Sequence, residues 1–137
     1  MKKLINVNDL HVSYHTYAGE VQSVRGVNFY ANEGETIAIV GESGCGKSVT
    51  AKTIMGLISC PPGEIKEGSE ILLDGRDILK QSEKEWEEYR GAACSMIFQD
   101  PMTSLNPVLT VEEQIAEVIR THNKMNRKEA VEKAREM

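Results

Sequence analysis

The 137-residue chain has no apolar run near the ~20 residues that a helix needs to cross a bilayer. Any association with a membrane is therefore expected to pass through a partner. A signal peptide is not expected in the first residues either. Met1-Lys-Lys-Leu-Ile has the charges of a signal peptide, but Asn6, Asn8 and Asp9 interrupt its apolar stretch at once. Positive charge is scarce: 16 Lys and Arg stand against 21 Asp and Glu, and the net charge of −5 argues against a general nucleic-acid binder. Cysteine is limited to Cys45, Cys60 and Cys94, an odd number without metal-ligand spacing. This suits reduced thiols in a cytosolic protein and disfavours a zinc site. His11, His15 and His122 are scattered, as surface or strand-edge residues are. Repeats, low-complexity tracts and like-charge blocks are absent, so the length fits one folded domain with a real core.

Against this plain background one stretch stands out, Gly41 to Ser48, which reads GESGCGKS. Its spacing lets a backbone loop wrap a nucleotide triphosphate. Gly41, Gly44 and Gly46 lack a Cβ, so the chain can take positive φ and come close enough to aim successive N–H groups at phosphate oxygens. A strand-like run, Glu35 to Val40, precedes the loop, and Lys47 to Ile58 reads as a helix. A helix starting near Lys47 adds free N–H donors and the positive end of its dipole. Lys47 would reach the β and γ phosphates, and the Ser48 hydroxyl would ligate Mg²⁺.

The rest of the chain supplies a scaffold. Ile5 to Tyr14 and Val21 to Tyr30 alternate as two antiparallel strands around a turn at Ala18-Gly19-Glu20, and Asn32 to Glu35 makes a tight turn into the loop strand. Cys60-Pro-Pro-Gly63 breaks the first helix from a strand over Ser69 to Leu73, which Asp74-Gly75 ends. Ser82 with Glu85 marks a short helix to about Tyr89, ended near Gly91. Cys94 to Gln99, with Met96-Ile97-Phe98, reads as a buried strand. Thr110 with Glu113, and Asn126 with Glu129, start two further helices. Arg135-Glu136-Met137 lies inside a helical pattern without a cap, so the chain is expected to be truncated.

These motifs together resemble the N-terminal part of an ABC transporter ATPase subunit, over essentially all 137 residues. In that family an antiparallel sheet precedes the phosphate loop, and a glutamine ends a later strand as the Q-loop. Here that glutamine is Gln99, in SMIFQDP, and the continuation MTSLNP to Pro107 is similar to the branch that powers oligopeptide and dipeptide import. The resemblance implies a P-loop NTPase α/β sandwich with an N-terminal antiparallel β-subdomain, incomplete at the C-terminus. It implies one nucleotide-binding portion over 1–137, with the phosphate loop at 41–48 and the Q-loop around 99. ATP and Mg²⁺ are the implied cofactors. The implied ATP-binding set is Tyr14, Gly41, Glu42, Ser43, Gly44, Cys45, Gly46, Lys47, Ser48 and Val49. Lys47 and Gln99 would act in catalysis, and Ser48 and Gln99 would hold the metal. Tyr14 is the best match for an aromatic ring that stacks on adenine; Tyr17 is a second candidate.

The same resemblance implies permease subunits, a second ATPase subunit and, indirectly, an extracytoplasmic peptide-binding protein as partners, at the cytoplasmic face of the membrane and without nucleic acid. Departures from the pattern are equally informative. No LSGGQ-like signature, no four-apolar-then-Asp-Glu string and no matching switch histidine occurs between Met102 and Met137. Hence a second reading, a nucleotide-binding module without turnover, stands beside the transport ATPase. Cys45 and Val49 replace hydroxyl residues common elsewhere in the family.

Overall fold

A computed structural model describes residues 2–100 and 104–137. The expectations for Pro101 and Met102 lie outside the described residues. The chain divides into two compact units, the first ending at Ser82 and the second running from Glu83 to Met137.

The first unit is built on a long hairpin. β1 (Lys3–Thr16) and β2 (Gly19–Asn32) pair antiparallel along their whole length, each longer than the alternation alone predicts. The extra residues flank the apolar stretch and are held by the partner strand's hydrogen bonds rather than by burial. β1 is the hub of the sheet: β2 lies on one side, while β3 (Gly63–Ile65) and β4 (Glu70–Leu73) pair with it on the other. β5 (Arg76–Asp77) closes the order β2-β1-β4-β5. Val7, Leu10, Val12, Val24 and Ile71 are buried in these strands, each stabilising the unit by about 1.5–3 kcal/mol. β3 and β5 are too short to leave an alternation pattern, so the sequence alone does not announce them.

α1 (Lys47–Ile54) follows the glycine loop. It ends four residues before the predicted Ile58, because Gly56 turns left-handed at φ 61 and Leu57 N–H bonds back to the Lys52 carbonyl at 2.8 Å. Glycine at that position closes a helix at no steric cost.

Two predicted strands do not form. Residues 35–40 carry no regular secondary structure, and their Ile37, Ile39 and Val40 side chains are exposed. Residues 94–99 likewise form no strand; Cys94 makes one bridge to Arg90, while Ile97 is 98% exposed. Both runs have the composition of buried parallel strands. A strand is completed by its neighbour's N–H and C=O groups, however, and among the described residues neither run has one.

The second unit holds α2 (Glu83–Tyr89), α3 (Val111–Asn123) and α4 (Arg127–Glu136). Ala116 and Ile119 of α3 pack against Ala130 and Ala134 of α4, with Ile115, Met125 and Val131 around them. Thr110 caps α3 by accepting from Glu113 N–H at 3.2 Å. Asn126 and Glu129 form a full capping box on α4. Arg127–Glu113 at 3.0 Å and Arg135–Glu112 at 2.7 Å tie the two helices. In α2 the Trp86 and Tyr89 rings meet edge to face at 5.3 Å. Burial pushes the Tyr89 phenol upward, and a hydrogen bond to the Cys94 thiol adds to the rise.

Candidate functional site

The glycine loop is folded as a nest around its own lysine. Gly44 and Gly46 adopt φ of 80° and 90°, left-handed values that side chains resist. At Gly41 a Cβ would stand 2.7 Å from Cys45 Sγ, so a side chain there would require the Cys45 thiol to turn away. Gly46 caps α1 without a side-chain bond, so the first N–H groups of the helix remain free of helical partners. The Lys47 ammonium donates to the carbonyl oxygens of Gly41 at 2.7 Å and Glu42 at 2.6 Å, and lies 3.4 Å from Cys45 Sγ. A cation is thus stationed beside a row of N–H donors at the positive end of a helix. Such an arrangement accepts an anion, and its span suits the phosphates of a nucleotide. The exposed Ser48 hydroxyl, free of described protein partners, stands one residue further on, where a phosphate-bound Mg²⁺ would find a neutral oxygen ligand.

Beside the loop lies a cavity of about 460 Å³ lined by Phe29, Ile39, Val40, Lys47 and Thr50, among others. A second, of about 350 Å³, is lined by Gln22, Ser23, Arg25, Gly44 and Cys45.

Tyr14 is half-buried in β1, opposite Val21 of β2 and Gly63 of β3. A Cβ on Gly63 would meet Ile58 Cγ2 at 2.6 Å and the Ser59 carbonyl oxygen at 2.9 Å, while the Tyr14 ring would be 3.4 Å away, in near-ordinary contact. On the other face of the strand, Ser13 and His15 meet an ionic ladder. His15 Nε2 lies 2.6 Å from Glu64, and the Lys66 ammonium lies 2.6 Å from Glu64 and 2.8 Å from Glu20. The Lys66 hydrogen bonds hold both carboxyls below the usual carboxylate range, and the two carboxylates raise Lys66 in return. Tyr17, by contrast, sits at the hairpin turn with its ring fully in solvent.

The structure therefore gathers Gly41, Glu42, Ser43, Gly44, Cys45, Gly46, Lys47, Ser48 and Val49 in one loop and helix start, and sets Tyr14 in the same unit. Gln99 belongs to the second unit, where it is exposed on a stretch without regular structure, and its grouping with the loop rests on sequence alone. Two residues at the site escaped the sequence reading. Ser23 and Thr50 both touch Gly46, and only a threonine three places after Lys47 was there to be noticed.

A family model described as ABC transporter matches residues 24–137. The oligopeptide transport ATP-binding protein of Bacillus subtilis (strain 168) is 54% identical over 135 residues, 98% of this chain and 37% of that protein. The dipeptide transport ATP-binding protein of Lactococcus lactis subsp. cremoris (strain MG1363) is 51% identical over 137 residues, 99% of this chain and 39% of that protein. The Escherichia coli (strain K12) oligopeptide transport ATP-binding protein shows 47% identity, over 96% of this chain and 38% of its own length. The chain thus spans about two-fifths of these relatives. Among solved structures, a dimeric ATP-binding cassette in a post-hydrolysis state with ADP and phosphate superposes with a TM-score of 0.77 at 22% identity, covering 96% of this chain and 54% of that one. The fold is accordingly that of a P-loop ABC ATPase, incomplete in its central sheet. With a family match over most of its length and a phosphate-loop geometry to go with it, the chain belongs to the ABC transporter family.

Proposed function

We propose that the chain is the nucleotide-binding portion of an ATPase subunit that couples ATP binding and hydrolysis to peptide import. The observation that carries this reading is the loop itself: two left-handed glycines and a helix start, with the Lys47 ammonium held at its centre by two carbonyls. Lys47 exchanges those carbonyls for β- and γ-phosphate oxygens, while the N–H groups from Gly44 to Val49 bind the phosphates and Tyr14 stacks on the base. Ser48 and Gln99 would hold Mg²⁺, which would neutralise charge on the phosphate oxygens. Gln99 also senses the γ-phosphate, and the segment to Pro107 passes the nucleotide state to a permease subunit. The relatives' names, oligopeptide and dipeptide transport, support the importer branch. A second ATPase subunit and membrane-embedded permeases complete the assembly, with a peptide-binding protein outside.

The test is calorimetric titration with Mg-ATP. Lys47→Ala should weaken binding by about ten- to a hundredfold, the scale of one charge-assisted hydrogen bond. Equal affinities in the two forms would remove the loop from the site. In the full-length subunit, Gln99→Ala should uncouple peptide uptake from ATP binding; unimpaired uptake would end the coupling role of Gln99.

A further inference from the structure

Gly46 is gripped from two sides, and neither grip belongs to the GESGCGKS pattern. The first comes from a bulge in β2. Val12 and Ser13 are consecutive in β1, but their partners Val24 and Gln22 are two apart, which leaves Ser23 as an extra residue without a partner in the ladder. A bulge re-aims the backbone it interrupts. Here the Ser23 carbonyl oxygen is set so tightly against Gly46 that any Cβ on that residue would overlap it, and Val24 Cγ2 would stand 3.3 Å away. The second grip comes from α1. The Thr50 N–H donates to the Gly46 carbonyl at 2.8 Å, and the Thr50 hydroxyl donates to the same oxygen at 3.0 Å. Thr50 is 4% exposed, and that oxygen is the one described partner of its hydroxyl.

We propose that the bulged Ser23 and the buried Thr50 form a clamp that orients the Gly46–Lys47 peptide for phosphate, Thr50 acting as a positioning residue. In a trans peptide the carbonyl and the following N–H point opposite ways. Two donors from Thr50 pull the Gly46 carbonyl down into the helix, so the Lys47 N–H faces back into the loop, where a phosphate would lie. The Ser23 oxygen holds the other side of Gly46 at its left-handed φ. Without the hydroxyl the peptide plane rocks about a single bond, and the donor loses its aim. This inference rests on the loop's reading as a phosphate site.

Thr50→Val keeps the side chain's shape and removes its hydroxyl, whereas Thr50→Ser keeps the hydroxyl. Calorimetry with Mg-ATP and with inorganic pyrophosphate, beside melting temperatures of the nucleotide-free chain, separates positioning from packing. Thr50→Val should weaken both ligands by the same factor, about three- to tenfold, the scale of one neutral hydrogen bond. Thr50→Ser should restore both. A purely structural Thr50 would lower the melting temperature and leave the affinities alone; that result overturns the clamp, as does a loss with ATP but not with pyrophosphate. Lys47→Ala runs alongside. If it binds as tightly as the parent chain, the phosphate site itself falls and the clamp with it; if it weakens while Thr50→Val does not, the clamp alone is wrong.

Discussion

The Lys47 ammonium, bonded to two carbonyls of its own loop, is a charge waiting to be exchanged, and Cys45 Sγ lies 3.4 Å from it. Cys45 and Cys60 are both exposed, but only Cys45 sits in the loop proposed to bind phosphate. Mg-ATP should therefore slow maleimide labelling of Cys45 at least severalfold and leave Cys60 unchanged. Mass mapping of the labelled peptides checks this, and equal labelling of Cys45 with and without nucleotide would count against the site. The loop residues were legible because each answers to a single requirement: no Cβ at Gly44 and Gly46, a cation at Lys47, a hydroxyl at Ser48. Ser23 was not legible, because its role depends on a β-bulge, and a bulge is a matter of register between two strands. That Tyr14 is half-buried in the sheet and Tyr17 exposed at the turn also needed the fold. Tyr14 pairs across the sheet with Gly63, a residue 49 positions away whose strand, β3, is three residues long.

At the scale of elements, the ladder behind Tyr14 joins the ends of β1, β2 and β3 through His15, Glu20, Glu64 and Lys66. Glu20 and Glu64 are held below their ordinary value of 4.5, chiefly by hydrogen bonds from Lys66. Their contribution is fully present above that ordinary value and is lost as the pH falls through the lower, folded-state values. Lys66 is raised above 10.5, so its side of the pairing holds at neutral pH and fails only as the pH rises through that raised value. Melting curves of the parent and of Lys66→Met should differ at pH 7 and converge well below pH 4.5, with the gap at pH 7 shrinking in high salt because the groups are solvent-facing. A gap that persists in acid would show that Lys66 acts by packing instead. In the second unit, Asn126→Ala removes half of the capping box on α4 and should cost about 1 kcal/mol, read from a denaturant midpoint. Caps of this kind were legible in the sequence, since Thr110, Asn126 and Glu129 act within one turn of their own helix. Strand completion is not local, and that is where the sequence reading of 35–40 and 94–99 parted from the structure.

At the scale of the molecule, the same two runs decide how the polypeptide behaves in solution. The 137 residues hold a phosphate loop but no signature string and no Asp-Glu strand motif, so the chain should bind Mg-ATP without turning it over. Phosphate release that vanishes in Lys47→Ala would refute this. Residues 35–40 place Ile37, Ile39 and Val40 in solvent, and residues 94–99 do the same for Ile97 and Phe98. All carry the β-branched or aromatic character of interior strands, with backbone N–H and C=O groups that no described strand satisfies. In water such runs seek each other, since pairing between chains removes apolar surface and completes a ladder at once. The net charge of −5 resists association, but at physiological ionic strength screening acts over about 8 Å and leaves close strand pairing little opposed. The isolated polypeptide should therefore sediment as concentration-dependent oligomers rather than as a 15.2 kDa species. Ile39→Lys and Ile97→Lys together should shift the distribution toward the monomer while leaving the hairpin sheet, in which neither residue takes part, intact by circular dichroism. A monomer at every concentration in the parent chain would mean that these runs are covered in solution, and the two lysine substitutions would then lower stability instead of raising solubility.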